Sequence, residues 1–157
     1  MGVSGAGKTT VGRLLAELLS CDFYDADDFH TFASRAKMRS GTPLSDQDRE
    51  PWLASLSHLL QQLILQKKDA VLACSALKAA YRRQLQIDEN IRLVYLKGDL
   101  ATVQKRLARR EGHFMPPELL DSQFAALEEP NDAITVGIES SPAAIAAKIK
   151  QMLRVGN

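Results

Sequence analysis

The chain of 157 residues has the length of one domain, and its 45% apolar and 25% charged residues are the balance of a globular protein. That composition excludes a disordered, collagen-like or coiled-coil chain. Twenty Lys+Arg against 19 Asp+Glu leave a formal charge of +1, so no global basic field draws the chain to nucleic acid or a membrane.

The chain opens on Gly2-Val3-Ser4-Gly5-Ala6-Gly7-Lys8-Thr9, with only Met1 before it. Val11, Leu14, Leu15, Leu18 and Leu19 follow at the spacing of one helix face. Cys21–Tyr24 reads as a short strand ended by the acidic cluster Asp25-Ala26-Asp27-Asp28, and a polar helix is predicted from Asp28 to Arg39. Gly41-Thr42-Pro43 breaks that helix. Ser45 and Asp46 then offer cap oxygens to a long helix striped by Trp52, Leu53, Leu56, Leu59, Leu60, Leu63 and Ile64. Ala70–Cys74 is an apolar run without alternation, as in a strand buried on both faces. Ile91–Leu96 and Ala133–Ile138 are further strands, and helices are predicted at about 78–87, 99–110, 117–128 and 142–154, with Pro142 in the first turn of the last. Strands alternating with helices predict an α/β fold, a parallel sheet between two helical layers, in a single domain spanning 1–157. Cys21 and Cys74 have no metal-ligand spacing, and no apolar stretch nears the roughly 18 residues that cross a bilayer, so a cytoplasmic protein is expected.

The opening motif is G-x-x-x-x-G-K-[ST], leading straight into a helix. Glycines let such a loop turn its amides inward onto phosphate oxygens, and the helix N-terminus favours the same anion. Lys8 can then reach the β- and γ-phosphates, and the Thr9 hydroxyl can ligate Mg²⁺. The expected cofactors are therefore ATP and Mg²⁺, with Gly2, Ser4, Gly5, Gly7, Lys8, Thr9 and Thr10 around the nucleotide. A P-loop joins a strand to a helix; with one residue before Gly2, the sequence is expected to lack its first, central strand.

Asp25 and Asp27 lie two apart at a strand end, so both can project toward one crevice. Asp25 suits the hydration shell of Mg²⁺ and Asp27 an acceptor hydroxyl, whereas Asp28 suits a helix cap. No acid ends the strand at 70–74, which leaves Asp25 as the carboxylate for the metal. Ser75 can bind substrate or cap the next helix. Cys74–Lys78 follow the strand at its carboxyl edge; Lys78, Arg82 and Arg83 can face ligand or form a solvated helix face, which Arg83 suits best, and Cys74 reads as a buried small hydrophobe. Lys105–Glu111 carries four positive charges and one negative, and Gly112 with Pro116-Pro117 bounds a short excursion between helices. This suits a lid over triphosphate, at about 110–118, in which His113 contacts ligand or orders the loop. His58, inside the long amphipathic helix, reads as structural.

The P-loop, Tyr24–His30, Lys37-Met38, Pro43–Arg49, Pro51–Leu53, Cys74–Lys78, Tyr81-Arg82, Arg110–Phe114, Gln123-Phe124 and Leu127–Pro130 together resemble the gluconokinases, which are shikimate-kinase-like P-loop kinases. The resemblance runs in order over almost the whole chain. It implies ATP-dependent phosphorylation of the 6-hydroxyl of D-gluconate. By the same resemblance Asp27 orients and deprotonates the hydroxyl, Arg49 and Arg82 clamp the carboxylate, and His30, Lys37, Lys78, His113 and Gln123 add polar contacts. Arg106 and Pro142 lie on either side of adenine, Arg109 or Arg110 swings in with the lid, and a homodimer is common. A kinase of the same fold acting on shikimate or a nucleoside monophosphate, and a P-loop regulatory switch with slow turnover, are the competing readings. A nucleic-acid binder is disfavoured by the charge and by the lack of an aromatic–basic strand.

Overall fold

The computed structural model describes residues 1–108 and 117–155. The elements are α1 (Lys8–Leu19), β1 (Asp22–Asp25), a 3-10 turn (Ala26–Phe29), α2 (Phe32–Arg39), α3 (Asp46–Leu65), β2 (Ala70–Ala73), α4 (Ala79–Leu85), β3 (Val94–Lys97), α5 (Leu100–Ala108), α6 (Pro117–Ala126), β4 (Ile134–Gly137) and α7 (Pro142–Val155). None of the described helices is long and apolar enough to cross a membrane.

The strands pair in parallel as β1–β2, with Asp22 opposite Ala70 and Asp25 opposite Ala73, and as β3–β4, with Val94 opposite Ile134. Residues 1–2 lie between the pairs. The Met1 amine donates to the Val94 carbonyl, the Leu96 amide donates to the Met1 carbonyl at 3.0 Å, and the Gly2 amide donates to Ser75 at 3.2 Å. Two apolar clusters hold the layers together. Val11 and Leu15 of α1 meet Ile145 and Ile149 of α7, together with Leu96, Val103, Leu120 and Val136. Trp52, Leu53 and Leu56 of α3 meet Tyr81 and Leu85 of α4, over Ala26 and Cys74. Each wholly buried Leu or Ile in such a cluster contributes about 1.5–3 kcal/mol. The two clusters bring helices to both sides of the strands, which is the α/β layering the sequence implies.

Several boundaries differ from expectation, each because a local hydrogen bond wins. The helix expected over Asp28–Arg39 is two pieces. The Asp25 carboxylate takes the Asp27 amide at 3.1 Å and closes the 3-10 turn, and His30 is extended. Thr31 then caps a new helix by accepting the Ser34 amide at 3.1 Å, so Asp28 is not the cap. At the third strand, Asp88 takes the amides of Asn90 and Ile91, and pairing begins only at Val94. The helix expected to reach 128 ends at Ala126, because the Glu128 amide leaves for the Leu77 carbonyl at 3.0 Å. Ser45 does cap α3, in a reciprocal box with Asp48. Ser75 caps nothing, since Lys78 holds the N-cap position of α4 without a side-chain bond.

Candidate active site

The loop ahead of α1 is built by its glycines. Gly5 and Gly7 sit at φ 81° and 95°, where an L side chain is strained. A Cβ on Gly5 would also stand 2.8 Å from Leu107 and 2.9 Å from Val103, so α5 supports the loop from behind. Lys8 donates to the Val3 carbonyl at 3.0 Å, across its own loop. The Ser4 amide donates to Gln123 Oε1 at 2.7 Å, while Gln123 Nε2 donates to Ser4 Oγ at 3.0 Å. Arg106 of α5 donates to the carbonyls of Ile138 and Ser140, and a Cβ on Gly7 would lie 3.7 Å from its Nη1. Arg106 is therefore beside both the phosphate loop and the turn that leads to Pro142. Thr10 faces solvent.

One carboxylate links this loop to the acidic strand end. Asp25 Oδ2 accepts from Thr9 Oγ1 at 2.7 Å, and Oδ1 accepts the Asp27 amide at 3.1 Å. The neighbouring hydroxyl and carboxylate are a hard oxygen donor pair. They fit a small divalent cation that takes one or two protein oxygens and completes its shell with phosphate and water. Among the described residues no three His, Cys, Asp or Glu converge as a cage, so the phosphates have to supply part of that shell. Asp27 itself is exposed beyond Asp25.

Beyond Asp27 the surroundings are made by side chains from separate segments. His30 is buried and stacks on Trp52, with ring centres 4.7 Å apart and planes 8° from parallel. Trp52 Nε1 donates to the Ala26 carbonyl at 2.7 Å, which ties α3 to the 3-10 turn. His30 Nδ1 is buried without a partner, and burial lowers the imidazole pKa despite Asp27 nearby. Arg49 donates to the Leu44 carbonyl, lies 4.0 Å from Asp46 and covers the Tyr81 ring. Lys78 meets both Asp46 oxygens at 2.7 and 2.8 Å, and the Tyr81 hydroxyl donates to the same carboxylate. Lys78 and then Tyr81 hold Asp46 below the usual carboxylate range. Lys37 pairs with Asp48 at 2.6 Å and, with Ser45, lowers it to about 2.

The positions expected from sequence thus divide. Gly2–Thr9, Asp25, Arg106 and Gln123 come together around the loop, Asp27 is joined to Asp25 through its amide, His30 is near Asp27 and Arg49, and Arg49 and Lys78 share Asp46. Arg82 is buried, with Nη1 donating to Ala76 at 3.1 Å and Leu77 at 3.0 Å, so it shapes the turn after β2. Cys74 is buried as expected, and burial pushes its thiol up to about 11, leaving no thiolate for chemistry. His58 is exposed on α3. Arg109, Arg110, His113 and most of the expected lid lie outside the described residues. Asp46 and Tyr81 escaped the sequence reading as site neighbours; Asp46 reads as a cap, and nothing in the sequence pairs it with a lysine 32 positions away.

The chain matches the family model for shikimate kinase over residues 4–154. A probable gluconokinase of Mus musculus is 44% identical over 175 aligned positions, covering 98% of this chain and 95% of the relative. A gluconokinase of Arabidopsis thaliana is 41% identical, covering 98% and 89%. The crystal structure of a gluconokinase from Sinorhizobium meliloti 1021 superposes with a TM-score of 0.86 at 33% identity, over 100% of this chain and 94% of that one. The phosphate loop, the Asp25 bridge and these matches agree: this chain belongs to the shikimate kinase family of P-loop kinases, in its gluconokinase branch.

Proposed function

We propose that the protein transfers the γ-phosphoryl group of ATP to the 6-hydroxyl of D-gluconate, giving 6-phospho-D-gluconate and ADP. The observation that carries this reading is the continuous chain Thr9–Asp25–Asp27. It sets a hydroxyl, a carboxylate and a second, exposed carboxylate in sequence from the phosphate loop outward. Asp27 accepts the proton of the attacking hydroxyl as the new O–P bond forms and the bond to the β-phosphate oxygen breaks. Asp25 fixes that base through its amide. Lys8 exchanges the Val3 carbonyl for phosphate oxygens and offsets charge on the leaving group.

Mg²⁺, held by Thr9 with Asp25 behind it, would neutralise charge on the phosphates. Gluconate is an anionic polyol, and Arg49, Lys78 and Lys37 supply cations where its carboxylate has to dock. His30 offers the strip a buried neutral ring. Arg106 and Pro142 flank the adenine, and Arg110 and His113 act from the lid. The reaction belongs to the cytoplasm in this reading and needs neither nucleic acid nor membrane; a homodimer fits the family.

The test is ADP release by the purified protein, screened with gluconate, shikimate and nucleoside monophosphates. Stimulation by gluconate and not by the others is expected. No stimulation by gluconate overturns the substrate.

A further inference from the structure

We infer that Gln123 is a positioning residue for the nucleotide loop, acting through Ser4, and not a contact to the sugar acid. Both ends of its amide are spent on one residue 119 positions away: Oε1 takes the Ser4 amide at 2.7 Å and Nε2 donates to the Ser4 hydroxyl at 3.0 Å. A flipped amide would set NH₂ against N–H, so the orientation is fixed by the pairing itself. With the Ser4 amide satisfied from outside, anion binding falls to the amides that follow it. Gln123 therefore sets the shape of the loop before phosphate arrives, which is preorganisation.

The same run of chain reaches the acceptor side. Five residues on, the Glu128 amide donates to Leu77 at 3.0 Å and the Glu128 carboxylate takes the Ala79 amide at 2.6 Å. These bonds bracket Lys78. Residues 123–128 thus brace the nucleotide loop against the turn that carries a proposed substrate cation. A small shift of this brace misaligns donor and acceptor together.

The test uses ATP binding without sugar, followed by steady-state kinetics, in Gln123→Ala and Gln123→Glu. Loss of the paired hydrogen bonds in Gln123→Ala weakens ATP binding and raises its KM about tenfold, with the gluconate KM changed less than about twofold. Gln123→Glu keeps an acceptor for the Ser4 amide but puts a negative charge beside an anion site. It weakens ATP further than alanine does, and added salt relieves part of the loss. A merely structural residue gives the opposite order, with glutamate rescuing. In a double-mutant cycle with Ser4→Ala, the losses are non-additive. A raised gluconate KM with ATP binding unchanged overturns the proposal, as does no change in either. Because ATP binding is read without sugar, a wild-type protein that binds ATP but ignores gluconate defeats the substrate assignment and leaves this inference standing.

Discussion

The two halves of the candidate site are built by different means. The nucleotide side is backbone: a loop at positive φ whose glycines leave space for Leu107, Val103 and Arg106, followed by a helix N-terminus. The acceptor side is side chains drawn from the 3-10 turn, α2, α3 and the N-terminal end of α4, joined by ion pairs such as Asp46–Lys78 and Lys37–Asp48. A backbone site is specified by eight consecutive residues and tolerates little change anywhere in them. A side-chain site is assembled by the fold, and its parts can be altered one at a time. Substitutions on the two sides should therefore differ in kind: loss of turnover on the first, shifts in substrate affinity on the second.

The largest expected effect tests the first half of that contrast. Lys8→Ala removes the cation proposed to follow charge onto the leaving phosphate, and kcat should fall more than roughly a thousandfold with the fold intact by circular dichroism. Gly5→Val should be comparably damaging through the loop, because its side chain collides with Leu107 and Val103 at a φ of 81°. Retained turnover in either variant would remove the distinction. Asp27→Asn stands at the boundary. It keeps size and amide, and so the bond to Asp25, but removes the proposed base; kcat should drop about a hundredfold or more while the KM for ATP stays put.

On the acceptor side Arg49→Ala should raise the gluconate KM about tenfold with a smaller change in kcat, the signature of lost ground-state binding. Unchanged gluconate kinetics would take Arg49 out of the site and leave it as a brace on Leu44 and Tyr81.

The contrast also explains what could be read in advance. The phosphate loop, the alternating strands and helices and the α3 stripe are local patterns, and the fold class follows from them. Asp25 and Asp27 are two apart at a strand end, so their being neighbours, joined carboxylate to amide, is legible too. The partners of Asp46 are not, because Lys78 and Tyr81 lie 32 and 35 residues away and meet it only through the α3–α4 contact. Arg82 illustrates the same limit. Its spacing from Lys78 puts it on the right helix, but its burial against the carbonyls of Ala76 and Leu77 depends on tertiary structure. Gln123 looks like any polar helix residue until α6 is laid over Ser4.

The smallest expected effect concerns pH, and it too separates the halves. His30 is buried against Trp52 with Nδ1 unpartnered, and burial outweighs the attraction of Asp27, with Arg49 and Arg35 also opposing the charged form. The unfolded chain takes up this proton near the ordinary value of about 6.5, whereas the folded protein resists it to lower pH. More protons bind the unfolded state across that interval, so stability should fall as pH drops from 7.5 through 6.5 toward 5.5. Asp46 and Asp48 are held ionised well below this window, so their pairs survive it and break only at more acidic pH. His30→Phe keeps a flat ring against Trp52 and removes the proton. Urea unfolding at pH 7.5, 6.5 and 5.5 should show a slope in the wild type that is flatter in this variant. Equal slopes would mean that the acceptor side carries no neutral-range titration at His30.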